Sequence, residues 1–119
     1  MSVEIHEQTI EAPAADVWGF MVDPAALSVW FGADAWLEPI VDARVSFRFA
    51  DGSVRRGVVE EVERSRRLTW RWREHRGAGF SLEVGEASRV TIELEPVPDG
   101  TLVRITETPA IAASSRGAA

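Results

Sequence analysis

Residues 68–73 read Leu68-Thr69-Trp70-Arg71-Trp72-Arg73, three large apolar side chains alternating with three polar ones. A period of two puts Leu68, Trp70 and Trp72 on one face of a strand and Thr69, Arg71 and Arg73 on the other. Upstream, Val45, Phe47 and Phe49 alternate in the same way with Ser46, Arg48 and Ala50, and Asp51-Gly52 then supplies a tight hairpin turn into a return strand from Val54 to Glu63. Ser65-Arg66 marks the next turn. Downstream, residues 74–87, with Gly77, Gly79 and Gly85, read as a longer connection around Phe80. Val90, Ile92 and Leu94 then alternate with Thr91, Glu93 and Glu95. Pro96-Val97-Pro98-Asp99-Gly100 turns the chain into a last strand, Thr101 to Thr108, with Val103 and Ile105 inward.

Ahead of these strands the period changes. Residues 2–11 read as a first strand with imperfect alternation, since Val3 and Ile5 share one phase and Ile10 falls on the other; a bulge or an edge position accounts for that. Ala12-Pro13-Ala14-Ala15-Asp16 opens a helix, with Pro13 at the first helical position and Val17, Phe20 and Met21 on its apolar face. Asp23 caps a second helix that starts at Pro24 and stops at Gly32. The order is one strand, two short helices, then five strands linked largely by hairpins. It predicts the α+β class, an antiparallel sheet of about six strands with both helices on one side.

Composition bounds what such a domain does. At 119 residues the chain fits one domain, and its 45% hydrophobic and 27% charged fractions are those of an ordinary globular protein. The absence of cysteine removes disulfides, thiolate nucleophiles and zinc–thiolate sites, and with all 13 basic residues arginine there is no lysine for Schiff-base chemistry. A net charge of −6 speaks against nucleic acid or an anionic membrane surface as partner. The basic stretch Arg64, Arg66, Arg67, Arg71, Arg73 and Arg76 lies beside Glu60, Glu61 and Glu63 and reads as solvated strand faces. No run approaches the roughly 20 apolar residues of a membrane helix, and Met1 to Glu7 has no signal-peptide character. A cytoplasmic location is the expectation.

The element order, together with Ile10-Glu11-Ala12-Pro13 entering Asp16-Val17-Trp18, then Asp23-Pro24 and Trp30-Phe31-Gly32, resembles the START-like (SRPBCC, helix-grip) superfamily, in its branch related to the activator of the ninety-kilodalton heat-shock protein's ATPase. Gly57 to Glu63, Arg67 to Trp72, Ser88 to Leu94 and Gly100-Thr101 carry the likeness to about residue 108. The resemblance implies a START-like domain over residues 1–108: a strongly bent sheet gripping a C-terminal helix, with a hydrophobic cavity between them. It also raises a chaperone partner and a role in stress response. The departure is at the end, where residues 109–119 form a short Ala/Ser-rich tail with Ile111 as its one large apolar residue, against the about 20 residues that a gripping helix needs. The C-terminal helix is therefore expected to be missing or truncated.

Catalytic chemistry finds little support. His6 and His75 are the only histidines and nothing brings them together, no Gly-x-Ser-x-Gly elbow is present, and no histidine pair has metal-ligand spacing. No catalytic residue, cofactor or metal is assigned. The aromatic residues say more: Trp30, Phe31, Trp36, Phe47, Phe49, Trp70 and Trp72 are the candidates for lining one concave surface, with His6, Gln8 or Arg48 as orienting polar groups, although the same rings also suit a plain core. The leading expectation is a non-enzymatic protein that binds a small apolar or aromatic ligand. A protein-interaction, co-chaperone-like module and a cyclase or hydrolase of the START-like kind are the alternatives. Without a gripping helix the inward residues, among them Phe47, Trp70, Val90 and Ile105, need other cover, for which a symmetric homodimer and a monomer with collapsed helices compete.

Overall fold

The computed structural model describes residues 4–77, 79 and 82–110. Strand β1 (Glu4–Ile10) leads into helices α1 (Ala14–Met21) and α2 (Pro24–Phe31), and six strands follow: β2 (Ala33–Leu37), β3 (Arg44–Phe49), β4 (Val54–Glu63), β5 (Arg67–Arg76), β6 (Leu82–Val97) and β7 (Gly100–Pro109). All seven strands form one antiparallel sheet in the order β1-β7-β6-β5-β4-β3-β2. The architecture is the expected α+β one, with β2 as the strand that alternation alone leaves unassigned. Residues 2 and 3 of the expected first strand, Phe80 and residues 111–119 of the expected tail lie outside the described residues. Among the described residues no helix follows β7.

The helices hold together through local chemistry. Asp23 Oδ2 accepts the Ala26 N–H at 3.0 Å with Pro24 in the first turn, so α2 starts where expected, and it ends at Gly32. Pro13 takes the N-cap of α1, one position earlier than expected. Val17, Trp18 and Met21 are the buried side chains of α1, whereas Phe20 is exposed: Trp18 and Phe20 flank the Val17–Met21 stripe on opposite sides, and the core lies on the Trp18 side. Ser28 ties α2 to β2. Its hydroxyl donates to Pro24 O at 2.7 Å and accepts the Ala35 N–H at 2.9 Å.

Alternation settles most of the sheet. Leu68, Trp70 and Trp72 are buried as expected, joining Phe47, Val59, Val90, Ile92 and Val103 in one core under the helices. Thr69, on the opposite phase, is also buried, covered by its cross-strand neighbours Glu61 and Thr91. The first strand is an edge strand in unbroken register from Glu4 opposite Glu107 to Ile10 opposite Thr101, so edge position and no bulge explains its loose pattern.

Two departures bend the sheet. Residues 74–87 are not a connection: β5 runs on to Arg76 and β6 begins at Leu82, with the register jumping between Trp72–Ser88 and Glu74–Val84. Gly85 absorbs the extra residues at a φ of 70°, open to glycine without strain, so both strands continue past the bulge. A second irregularity between Val59 and Glu61 moves the inward phase of β4 to Val62.

Candidate functional site

Four aromatic rings meet on the concave face. Phe31 from the end of α2 packs edge-on against Phe47 of β3 at 5.1 Å, Trp70 of β5 stacks on Phe47 at 5.8 Å, and Trp72 meets Phe47 edge-on at 5.0 Å. Such offset and T-shaped pairs are the favoured arrangements of π-systems. Beside this cluster a cavity of about 510 Å3 opens, lying between α2 and the β1–β7–β6 side of the sheet. Of the residues expected to line one concave surface, Trp30, Phe31, Phe49 and Trp72 border it. Phe47 and Trp70 are fully buried behind them as core. Trp36 stands apart. It alternates with the buried Ala35 and Leu37 on β2, so it points away from the core and is 55% exposed. Val90, Val103 and Ile105 complete the apolar wall.

The polar groups of the cavity come largely from residues that the sequence reading passed over. Glu107 of β7 is the hub: its Oε2 accepts from Ser88 Oγ at 2.8 Å, from Trp72 Nε1 at 3.1 Å and from Arg55 Nη1 at 3.2 Å. Arg55 also lies over the Trp72 ring, 5.1 Å from its centroid, within cation–π range. β4 and β7 are separated by two strands, roughly 14 Å on a flat sheet. The ion pair spans that gap because the sheet curls. Glu4, His6 and Gln8 of β1 line the same cavity, as two of the three expected polar groups do; Arg48 faces the other side of β3. The signal for the missed pair was the period of two itself. Arg55 shares the phase of Gly57 and Val59, and Glu107 that of Val103 and Ile105.

A second cavity, of about 380 Å3, adjoins the first and shares Glu4, Arg55 and Glu107 with it. His6 on β1 and His75 on β5 are separated by two intervening strands of the sheet. Among the described residues no group of three or more His, Cys, Asp or Glu side chains is arranged to hold a metal ion, and no helix is long and apolar enough to cross a membrane. On the opposite face of the sheet three arginines of the basic stretch are paired with carboxylates: Arg67 with Glu93 at 3.0 Å, Arg71 with Glu60 at 3.9 Å and Arg73 with Glu83 at 3.4 Å. The hydrogen bond to Glu93 holds the Arg67 guanidinium above its ordinary pKa.

Comparison with known proteins adds a lineage to this geometry. Residues 11–117 match the family described as activator of Hsp90 ATPase homolog 1-like protein. No curated protein matches the sequence. Among solved structures, a protein from Mesorhizobium loti is 26% identical, with a TM-score of 0.74 over 91% of this chain and 76% of that one. A protein from the dynemicin biosynthetic locus superposes with a TM-score of 0.75 at 22% identity over 98% of this chain, which spans 43% of that longer protein. The Aha1 dimer from Colwellia psychrerythraea shares the fold at 18% identity, with a TM-score of 0.67 over 97% of this chain and 85% of that one.

Proposed function

Because the chain belongs to the family of activator of Hsp90 ATPase homolog 1-like proteins, we propose that it is a binding protein that holds a small apolar or aromatic molecule on the concave face of its sheet. The observation that carries the reading is the 510 Å3 cavity, with an apolar wall of Trp30, Phe31, Phe49, Trp72, Val90 and Ile105, the polar edge of β1 along one side and the Arg55–Glu107 pair beside Glu4. An apolar wall with few placed polar groups is what a small-molecule site requires. Ligand in such a site stabilises the native state by mass action. A panel of lipids, polyketides and aromatic compounds, screened by melting temperature and by the emission of Trp30 and Trp72, is expected to yield stabilising compounds. No shift across a broad panel would sink the proposal.

A second reading is association with a protein, either a chaperone partner or a second copy of this chain. It draws on the family and on the Aha1 structure, which is that of a dimer. The exposed Trp36, Ile40 and Val41, clustered on β2 and the turn after it, offer an apolar surface for contact. Light scattering across a concentration series distinguishes the second copy from the rest: a monomeric mass at high concentration sets the homodimer aside.

A further inference from the structure

The charge at the polar end of the cavity defines the ligand more narrowly, and the argument rests on the binding role just proposed. Glu4 and Glu107 are direct partners in the β1–β7 register, and both line the first cavity and its neighbour. Like charges directly opposed across an antiparallel pair repel. One arginine, Arg55, lies at this point, and its Nη1 bonds Glu107. Glu4 has no ion pair among the described residues. The remaining charges do not redress the balance. Glu7 is held by Arg104 at 2.7 Å, Glu74 by Arg76, and Arg73 is engaged with Gly85 O and Glu83, while Glu86 adds another carboxylate to the second cavity.

An aromatic wall therefore ends at an excess of carboxylate. We propose that the cavity selects apolar or aromatic molecules carrying a positively charged amine, the body lying against Trp30, Phe31 and Trp72 and the ammonium group seated between Glu4 and Glu107. The ammonium relieves the Glu4–Glu107 repulsion. A carboxylate ligand meets the reverse situation. It adds a third negative charge beside Glu4 and Glu107 against the single guanidinium of Arg55.

Three probes with one body and different heads test this: 4-phenylbutylamine, 4-phenylbutan-1-ol and 4-phenylbutanoate, titrated by calorimetry into the full chain at neutral pH and low salt. The amine is expected to bind about fivefold tighter than the alcohol, and the carboxylate weakest. The gap should narrow at about 0.5 M salt as the charges are screened. Glu4→Gln, at an exposed edge position, is expected to shrink the preference for the amine over the alcohol, and an unchanged preference in that variant overturns the assignment. Binding of the alcohol or the carboxylate as tightly as the amine overturns the charge inference and leaves the apolar cavity standing. Failure of all three to bind overturns the assignment of the ligand class, while the binding role itself stands or falls with the broad panel.

Discussion

Trp70 and Trp72 stand two residues apart on the same face of β5 and share Phe31 and Phe47 as neighbours, yet only Trp72 reaches the cavity. Trp70 is fully buried among Phe31, Phe47 and Trp72, and its indole N–H has no hydrogen-bond partner among the described residues. Trp72 borders the cavity, and its N–H donates to Glu107. What separates them is what lies above the sheet, not the strand they share. One belongs to the foundation and the other to the wall of the candidate site.

The largest expected effect breaks the comparison at Trp70. Trp70→Ala should cost about 3–5 kcal/mol of stability, the range for a large aromatic truncated in a closed core. A loss under about 1 kcal/mol by urea denaturation would make Trp70 a cavity residue too. Gly57→Ala comes next. Gly57 faces Trp72 in the β4–β5 register, and an added Cβ would sit 1.6 Å from Arg71 O and 2.6 Å from the Trp72 Cα. β4 has to move away from β5, at an expected cost of about 2–3 kcal/mol. A melting temperature equal to that of the parent would show that the strands give way freely there.

Trp72→Ala sharpens the contrast from the other side. The side chain already borders empty space, so its removal should cost about half of what Trp70→Ala does while abolishing the binding of whichever compound stabilises the parent protein. Stability and binding falling in the opposite ranking would exchange the two roles. The smallest effect is a control remote from both indoles. The Asp51 carboxylate accepts hydrogen bonds from the Ser53 hydroxyl and the Ser53 N–H, which hold its pKa below the ordinary value. A depressed folded-state pKa means that this contribution is present above the ordinary carboxylate range, near pH 3.9, and is lost as the pH falls through the lower folded value. An NMR titration should place the Asp51 midpoint below that of a free aspartate, and Ser53→Ala should move it upward without altering tryptophan emission.

The contrast also marks how far the sequence could be read. Alternation located β3, the first half of β5, the second half of β6 and β7, because each buries one face and exposes the other. It missed β2, whose Ala35 and Leu37 are too modest a pair to register as a strand, and it stopped β5 early because Glu74, His75 and Arg76 carry no apolar residue at all. Phe20 and Trp18 are both within reach of an apolar stripe on α1, and only the position of the sheet decides between them. For the cavity, the aromatic residues stood out in composition, but Trp36 separates from the rest only once β2 is known. Arg55 and Glu107 lie on inward phases that the rule for apolar residues does not lead one to follow. Their contact depends on the curl of the sheet, a property of all seven strands together.

The strand order carries one more consequence, in time instead of space. From β2 to β7 every strand pairs with its successor, so the sheet grows as a chain of hairpins, whereas β1 pairs with β7 across nearly the whole sequence, Glu4 opposite Glu107. Loop closure over that separation is entropically the most expensive step in the topology, and local contacts form before distant ones. The topology thus has β1 docking last, which amide hydrogen exchange checks directly: its protection should be weaker than that of β5. Glu4, His6 and Gln8 ride on this strand. The side of the cavity that they form is therefore expected to lose amide protection before the core around Trp70 does.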